Sequence, residues 1–235
     1  MKKNSRIIIA LDDMTIPDAL RLAEKTGSKV WGFKVNSLYS QNPEVVKMLK
    51  PFGKVFVDMK IHDIPKTAAL HAEKQLNHGA DIINCHVSGG VKMMRYIRTV
   101  TNVNHALVIA VTVLTSLDKD DCEDIYGEKN VLRKVMHFAE MALDNAVLDG
   151  IVCSPNEVRG IKEEWGDRCI AIIPGIRLVG DDTEDQKRLD TPYNAIMNGA
   201  DLLVIGSSIT KAEDPVEAVD IINEQIEKAL QEIKR

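Results

Sequence analysis

Cysteine is scarce: there are four in 235 residues, and no two form a CxxC pair. Cys85, Cys122, Cys153 and Cys169 are scattered, so neither a zinc site nor a disulfide framework is suggested. They read as reduced thiols of a cytosolic protein. Long apolar runs are also missing, and no stretch approaches the roughly 18 apolar residues of a membrane span. The opening MKKNSRIIIALDD is basic and then apolar, but its apolar part is short and closes on Asp12 and Asp13. That is not the layout of a signal peptide. Positive charge is not in excess. The net charge of −5 and pI of about 5.7 argue against a nucleic-acid surface. Linkers, low-complexity tracts and charge blocks are lacking too, so nothing divides the chain. Apolar residues make up 45%, which excludes a disordered chain. The length suits one large α/β domain with a sizeable core, or two small ones.

What is present is a repeated unit. Eight short apolar runs recur, at 6–12, 30–36, 54–60, 81–87, 106–114, 150–154, 169–176 and 202–208. They are near-continuous rather than alternating, as parallel strands covered on both faces should be. Helical punctuation lies between them. Thr15 reads as an N-cap with Pro17 in the first turn and Gly27 past the end; Thr191, Pro192 and Gly199 repeat the pattern. The stretch KTAALHAEKQLNHGA closes on Gly79, and 216–235 reads as an amphipathic last helix. Eight such units predict a single (β/α)8 TIM barrel spanning 1–235. The rival is a doubly wound open sheet, which often carries a Gly-rich first turn; none follows IIIALD.

In a barrel, chemistry sits at the C-terminal strand ends. The polar residues there are Asp12, Lys34, Asp58, Lys60, His86, Thr115, Ser116, Ser154, Arg177 and Ser207. The stretch DMKIHDIPKT places Asp58, Lys60 and Asp63 within six residues. Burying a charge is costly unless it is paired. By strand alternation Asp58 and Lys60 face the mouth together, within plausible reach of Lys34. Asp63 lies on the following loop, before Pro65. An array Lys–Asp–Lys–Asp can hold each charge against opposite neighbours. A salt-bridge cluster that merely closes the barrel top is the bland alternative; four charges on consecutive strands favour a functional mouth.

DMKIHDIPKT resembles the DxKxxDIPxT signature of the orotidine 5′-phosphate decarboxylase family. The likeness covers nearly the whole chain: IIIALD, FKV, HVSGGVKMM, VTVLTS, PGIR, DQKR, TPYNAI, GADLLVIG and SITKAEDP follow in the family's order. It implies decarboxylation of orotidine 5′-monophosphate to uridine 5′-monophosphate, without metal or organic cofactor, in a cytoplasmic homodimer. It also implies roles. Lys60 would give a proton to C6 of the pyrimidine. Asp58 would face the substrate carboxylate, braced by Lys34, which also contacts ribose. Asp63 would reach the ribose from the partner subunit. Asp12 would bind ribose hydroxyls, and Thr67 belongs to the same segment. Thr115 and Ser116 would contact the pyrimidine. Arg177, Gln186 and the Gly206 loop would hold phosphate. No nucleic-acid or membrane partner is implied.

The chain departs from the family pattern at GSSIT, where Ser207 replaces an expected phosphate-binding arginine. Three readings stay open: weaker phosphate capture, substitution by Lys187, Arg188 or Lys211, or drift to another substrate or loss of activity. Ser207 itself, Arg177 and the N-terminus of the final helix could supply donors or positive potential. Asn36 stands where glycine is common and reads as a left-handed turn. His86 reads as a hydrogen-bonded structural residue, and His62 should point away from the mouth if the strand persists. Gly89 and Gly90 fit an anion-binding turn or a plain tight turn. Cys153 has no histidine near it in sequence to make it a nucleophile. Met93 and Met94 read as packing residues. Two alternative functions remain. One is a metal-dependent relative, a hexulose-phosphate synthase or ketogulonate-phosphate decarboxylase. The other is a non-catalytic binder of uridine nucleotides.

Overall fold

A computed structural model describes residues 5–178 and 190–234, with the side chains of 102–104 excepted. Eight parallel strands close into a barrel in sequence order. They are β1 Ile7–Ala10, β2 Gly32–Val35, β3 Lys54–Ile61, β4 Ile82–His86, β5 Leu107–Val111, β6 Gly150–Val152, β7 Ile170–Ile173 and β8 Leu202–Ile205. This is the expected (β/α)8 architecture. The strands are mostly shorter than the apolar runs that announced them, because the C-terminal ends of those runs leave the ladder to build the mouth. Residues 207–208, for example, start the short helix Ser207–Thr210.

Alternation divides the apolar residues between two layers. Ile7 and Ile9, Phe33 and Val35, Val55 and Val57, and Ile83 and Cys85 face outward into the layer shared with the helices. Ile8, Ala10, Phe56, Ile82, Ile109, Ile172, Leu202 and Val204 fill the barrel interior. At roughly 25 cal/mol per Å2 of apolar surface removed from water, these two layers are the main source of stability.

The helices begin as their sequences require. Thr15 accepts from the Asp18 amide at the head of Ile16–Thr26, and Thr191 accepts from the Asn194 amide at the head of Pro192–Met197. Asp214 accepts from the amides of Val216 and Glu217 at the head of Pro215–Ile233. Gly79 and Gly199 take left-handed φ values of 95° and 102°. Gly27 does not, with φ of −58°. A Cβ at Gly27 would lie 2.5 Å from the Phe52 carbonyl oxygen, so close approach excludes a side chain there.

The N-terminal face is clamped by a motif that repeats every second strand. Asp81, Asp149 and Asp201 each stand just before an even-numbered strand. The Asp81 N–H donates to the Val55 carbonyl at 2.8 Å, and its carboxylate accepts from the Val55 N–H at 2.7 Å. Asp149 does the same with Val108, and Asp201 with Ala171. Lys50, Arg98 and Lys162 pair with the three carboxylates, each at 2.6 Å. Chain polarity leaves the opposite face free for chemistry.

Candidate active site

The site grows out of β2, β3 and β4. On β2, Phe33 and Val35 pack outward, so Lys34 points into the barrel. On β3, Val55 and Val57 pack outward, so Phe56 and Asp58 point inward. The Lys34 ammonium lies 2.7 Å from Asp12 and 3.1 Å from Asp58. The Lys60 ammonium lies 2.8 Å from the other oxygen of Asp58. The charges therefore alternate as Asp12–Lys34–Asp58–Lys60. This corrects the expected array within one chain, because Asp12 and not Asp63 completes it. Asp63 faces outward, with its carboxylate accepting from the Ile64 N–H at 2.7 Å and lying 3.7 Å from His71.

The array stands directly above the apolar interior layer containing Phe56, Ile82, Ile109 and Ile172. The side chains of Lys34 and Asp58 are each 10% exposed, whereas Lys60 is 34% exposed and reaches open space. Burial would raise the Asp58 pKa, but Lys34, Lys60 and the hydrogen bonds from Lys60 and Asn84 outweigh it and hold the carboxyl below its usual value. Burial would likewise lower the Lys34 pKa, but Asp58 and Asp12 prevail and raise it. Both groups are charged at neutral pH.

Beyond Val57 the β3 backbone is irregular. Val57 pairs with Ile83 and Ile61 with Cys85, so four residues of β3 span two of β4. Lys60 lies inside this bulge with a left-handed φ of 48°. Side chains take over the backbone groups. The Asn36 amide donates to the Asp58 carbonyl at 2.7 Å, and the Lys60 N–H donates to the Asn84 side-chain oxygen at 2.7 Å. Asn84 also donates to the Asp58 carboxylate at 2.6 Å. Asn36 itself has φ of −127°, so the expected left-handed turn is corrected. Its side chain is used as a tie to β3.

A cavity of about 290 Å3 opens above the array, bounded by Asp12, Lys34, Asp58, Lys60, Thr115 and Arg177 among others. A second cavity of about 570 Å3 shares Ala10, Asp12, Arg177 and Gly206 with the first and carries Ser207, Lys211, Arg21 and Lys25. Two buried polar atoms at the shared wall have no partner among the described residues: Asp12 Oδ1, an acceptor, and Arg177 Nε, a donor. Such orphans call for a ligand. The fitting ligand offers a hydroxyl to one and an anionic oxygen to the other. Among the described residues no three His, Cys, Asp or Glu side chains are grouped to hold a metal ion.

Not every expected residue lines these cavities. Thr67 sits in the first turn of helix Pro65–Asn77, outside them, and Ser116 is exposed beside Thr115. Gln186, Lys187 and Arg188 lie outside the described residues. Ser154 is fully buried, with its N–H on Glu157 at 2.6 Å. Strand β3 ends at Ile61, so His62 does not follow its alternation. Its ring centre lies 5.5 Å from that of His86. Gly90, with φ of 87°, opens the helix Gly90–Asn104. Met93 and Met94 are fully buried, as expected, and all four cysteines are buried and outside any disulfide. Asn84 was missed. Its signal was parity, since Ile82, Asn84 and His86 share the inward face of β4, where an amide needs a reason.

A closed parallel barrel with buried, alternating charges at its C-terminal mouth defines an enzyme of the (β/α)8 class acting on a small anionic molecule. Comparison makes this specific. Residues 5–222 match the model of the orotidine 5′-phosphate decarboxylase / HUMPS family. An orotidine 5′-phosphate decarboxylase of Moorella thermoacetica is 37% identical over 97% of this chain and 94% of its own. One from Paramagnetospirillum magneticum is 38% identical over 94% and 97%. The crystal structure of the Lactobacillus acidophilus orotidine 5′-phosphate decarboxylase superposes with a TM-score of 0.78 at 28% identity, covering 94% of this chain and 99% of that one. This chain belongs to the orotidine 5′-phosphate decarboxylase / HUMPS family.

Proposed function

We propose that the chain is a carboxy-lyase that converts orotidine 5′-monophosphate into uridine 5′-monophosphate and CO2 in pyrimidine biosynthesis. The observation that carries this reading is the Lys34–Asp58–Lys60 run, at 3.1 and 2.8 Å, above an apolar floor.

The chemistry follows from what the array offers. The C6–carboxylate bond breaks, CO2 leaves, and the electron pair stays on C6. A fixed cation beside that carbon stabilises the pair, and in a water-poor site it does so without reorganisation. Lys60 is the partly exposed cation. It then donates a proton to C6. Asp58, kept ionised, opposes a second carboxylate placed beside it, and loss of CO2 relieves that repulsion. Binding energy from the remote phosphate offsets the cost. In this reading Asp12 takes ribose hydroxyls, Thr115 and Ser116 face the pyrimidine, and Arg177, Gln186, Gly206 and Ser207 surround the phosphate. Thr67 supports the segment that carries Asp63. A cytoplasmic homodimer, in which Asp63 reaches the partner's site, completes the picture; four thiols outside any disulfide suit that compartment.

The test is the absorbance change on decarboxylating orotidine 5′-monophosphate. Lys60→Ala should lower kcat by at least ~10⁴-fold, since it removes both the proton donor and the cation. An active Lys60→Ala enzyme would end this mechanism. Ser207, where the resemblance leads one to expect arginine, favours a second reading. It predicts binding of uridine nucleotides with no turnover of orotidylate. Loss of activity on adding a chelator would point to the metal-dependent relatives.

A further inference from the structure

We propose that Asn84 is a positioning residue for this reaction. It sets the distance between the Asp58 carboxylate and the Lys60 ammonium by holding the backbone of one and the side chain of the other. The inference rests on the reading of Lys60 as proton donor and Asp58 as its charged neighbour.

Three features of the geometry point to it. Asn84 is fully buried in the middle of β4, on its inward face. Its oxygen accepts from the Lys60 N–H at 2.7 Å and its amide donates to Asp58 Oδ1 at 2.6 Å. That same oxygen of Asp58 receives the Lys60 ammonium at 2.8 Å. One side chain therefore closes a ring through the backbone N–H of Lys60, the carboxylate of Asp58 and the ammonium of Lys60. Orientation also matters: an amide meets a carboxylate with its N–H2 and a backbone N–H with its oxygen, and Asn84 does both at once.

The bulge explains why such a residue is needed. Lys60 has φ of 48°, a left-handed conformation that is strained for a non-glycine residue and persists only when its surroundings impose it. The bulge withdraws Lys60 from the regular ladder to β4. Asn84 supplies the acceptor its N–H needs, and so fixes where the side chain leaves the backbone. Asn36 holds the other side of the same bulge through the Asp58 carbonyl. The proton donor is aimed by two amides, Asn36 just past β2 and Asn84 on β4, the strands on either side of β3, whose outward faces are packed into the core. A 1 Å error in such a site costs on the order of 10²-fold in rate.

The decisive variant is Asn84→Asp, which keeps the shape and the acceptor for Lys60 N–H but replaces the donor to Asp58 by a like charge. Its kcat should fall about 10²-fold. The acid limb of its pH–rate profile should move to higher pH, because two adjacent carboxyls share a proton more readily than one. The groups facing Asp58 that bear on this shift are Lys34, Lys60 and Asn84 itself, with His62 and His86 beyond. A role in folding alone would not move that limb. Asn84→Ala should lose a similar factor in kcat with KM changed less than about threefold, because Asn84 aims groups rather than binding the phosphate. Native kcat and an unshifted profile in a folded Asn84→Asp enzyme would overturn the proposal. So would failure of both variants to fold, which would make Asn84 structural. Should Lys60→Ala retain activity, the reading of the site falls first. Should Lys60→Ala be dead while Asn84→Ala and Asn84→Asp are native, only the positioning role falls.

Discussion

The ammonium of Lys34 lies 3.1 Å from the carboxylate of Asp58, and both side chains are almost out of water. Breaking a buried pair costs about 3–5 kcal/mol where no other partner remains; without Lys34, Asp58 keeps only the more exposed Lys60 and the Asn84 amide, which puts the loss at the low end of that range. Lys34→Met keeps the aliphatic stem and deletes the charge. It should therefore lower unfolding stability by about 3 kcal/mol. Lys60→Met should cost less, because Lys60 is more exposed and Asp58 keeps Lys34. Urea denaturation of both variants measures the order. A larger loss for Lys60→Met would reverse it.

The same pair sets a pH window for stability. Asp58 is held below its ordinary 3.8, so it stabilises the fold above that value. That contribution is lost as pH falls through the lower, folded pKa. Lys34 is raised above its ordinary 10.5, so its contribution is present below 10.5 and lost as pH rises through the folded pKa. The stability carried by the pair should be flat between these limits. The difference in unfolding free energy between native protein and Lys34→Met, followed with pH, should stay constant from about 5 to 9 and shrink on the acid side only below about 4. A steady decline between 5 and 9 would show that the pair titrates there.

The barrel was legible because its cause is repetitive. Eight apolar runs with helix caps between them admit few topologies, and Thr15, Thr191 and Gly79 act as their types suggest. Lys34, Asp58 and Lys60 were legible from strand ends and alternation. What alternation could not supply was the bulge at Lys60, which depends on a count of residues between β3 and β4 pairs. Without the bulge, Asn84 has no visible task and Asn36 looks like a turn residue. Within one chain the loop after Ile61 carries Asp63 to the outer surface, and Asp12, just past β1, completes the array; the reach of Asp63 into a partner's site is a matter of assembly, not of this chain's own array. Charge pattern along the chain is local, but the closing partner stands just past β1, which the parallel pairing of β1 with β2 sets beside Lys34.

The aspartate clamps under the barrel predict a stability effect far from the chemistry. Asp149 is bound at once to the Val108 N–H at 2.8 Å and to Arg98 at 2.6 Å. A hydrogen bond to a charged group is worth about 1.5–3 kcal/mol. Asp149→Ala should thus destabilise by about 2 kcal/mol while leaving KM for orotidine 5′-monophosphate unchanged. Denaturation and steady-state kinetics on one preparation separate the two effects. A changed KM would mean that the two faces communicate.

Ser207 makes a prediction about phosphate capture. The second cavity carries Lys211 and Lys25 with Arg177 at its wall. The N-terminus of the last helix is already capped by the Asp214 carboxylate, so side-chain cations remain the main source of positive potential. Lys211→Ala should raise KM about tenfold or more, and Ser207→Arg should lower it by a similar factor, from one charged hydrogen bond in each case. If neither change moves KM, phosphate is held elsewhere in the mouth.

Asp63 tests the assembly. Its side chain is 40% exposed and directed away from the array, and Ile64 and Leu70, at 69% and 64% exposure, lie on the same surface segment. Large exposed apolar side chains beside an outward carboxylate suit a face that meets a second copy. Lys60→Ala and Asp63→Ala should each be nearly inactive alone. Mixed and allowed to exchange subunits, they should recover activity. In a heterodimer one site combines both lesions, while the other combines the intact Lys60 of one subunit with the intact Asp63 of the other. Random exchange makes half the dimers mixed, each with one good site of two, so about a quarter of native activity should return. Activity that stays at the level of the separate variants would place Asp63 in its own subunit's site, or outside any site.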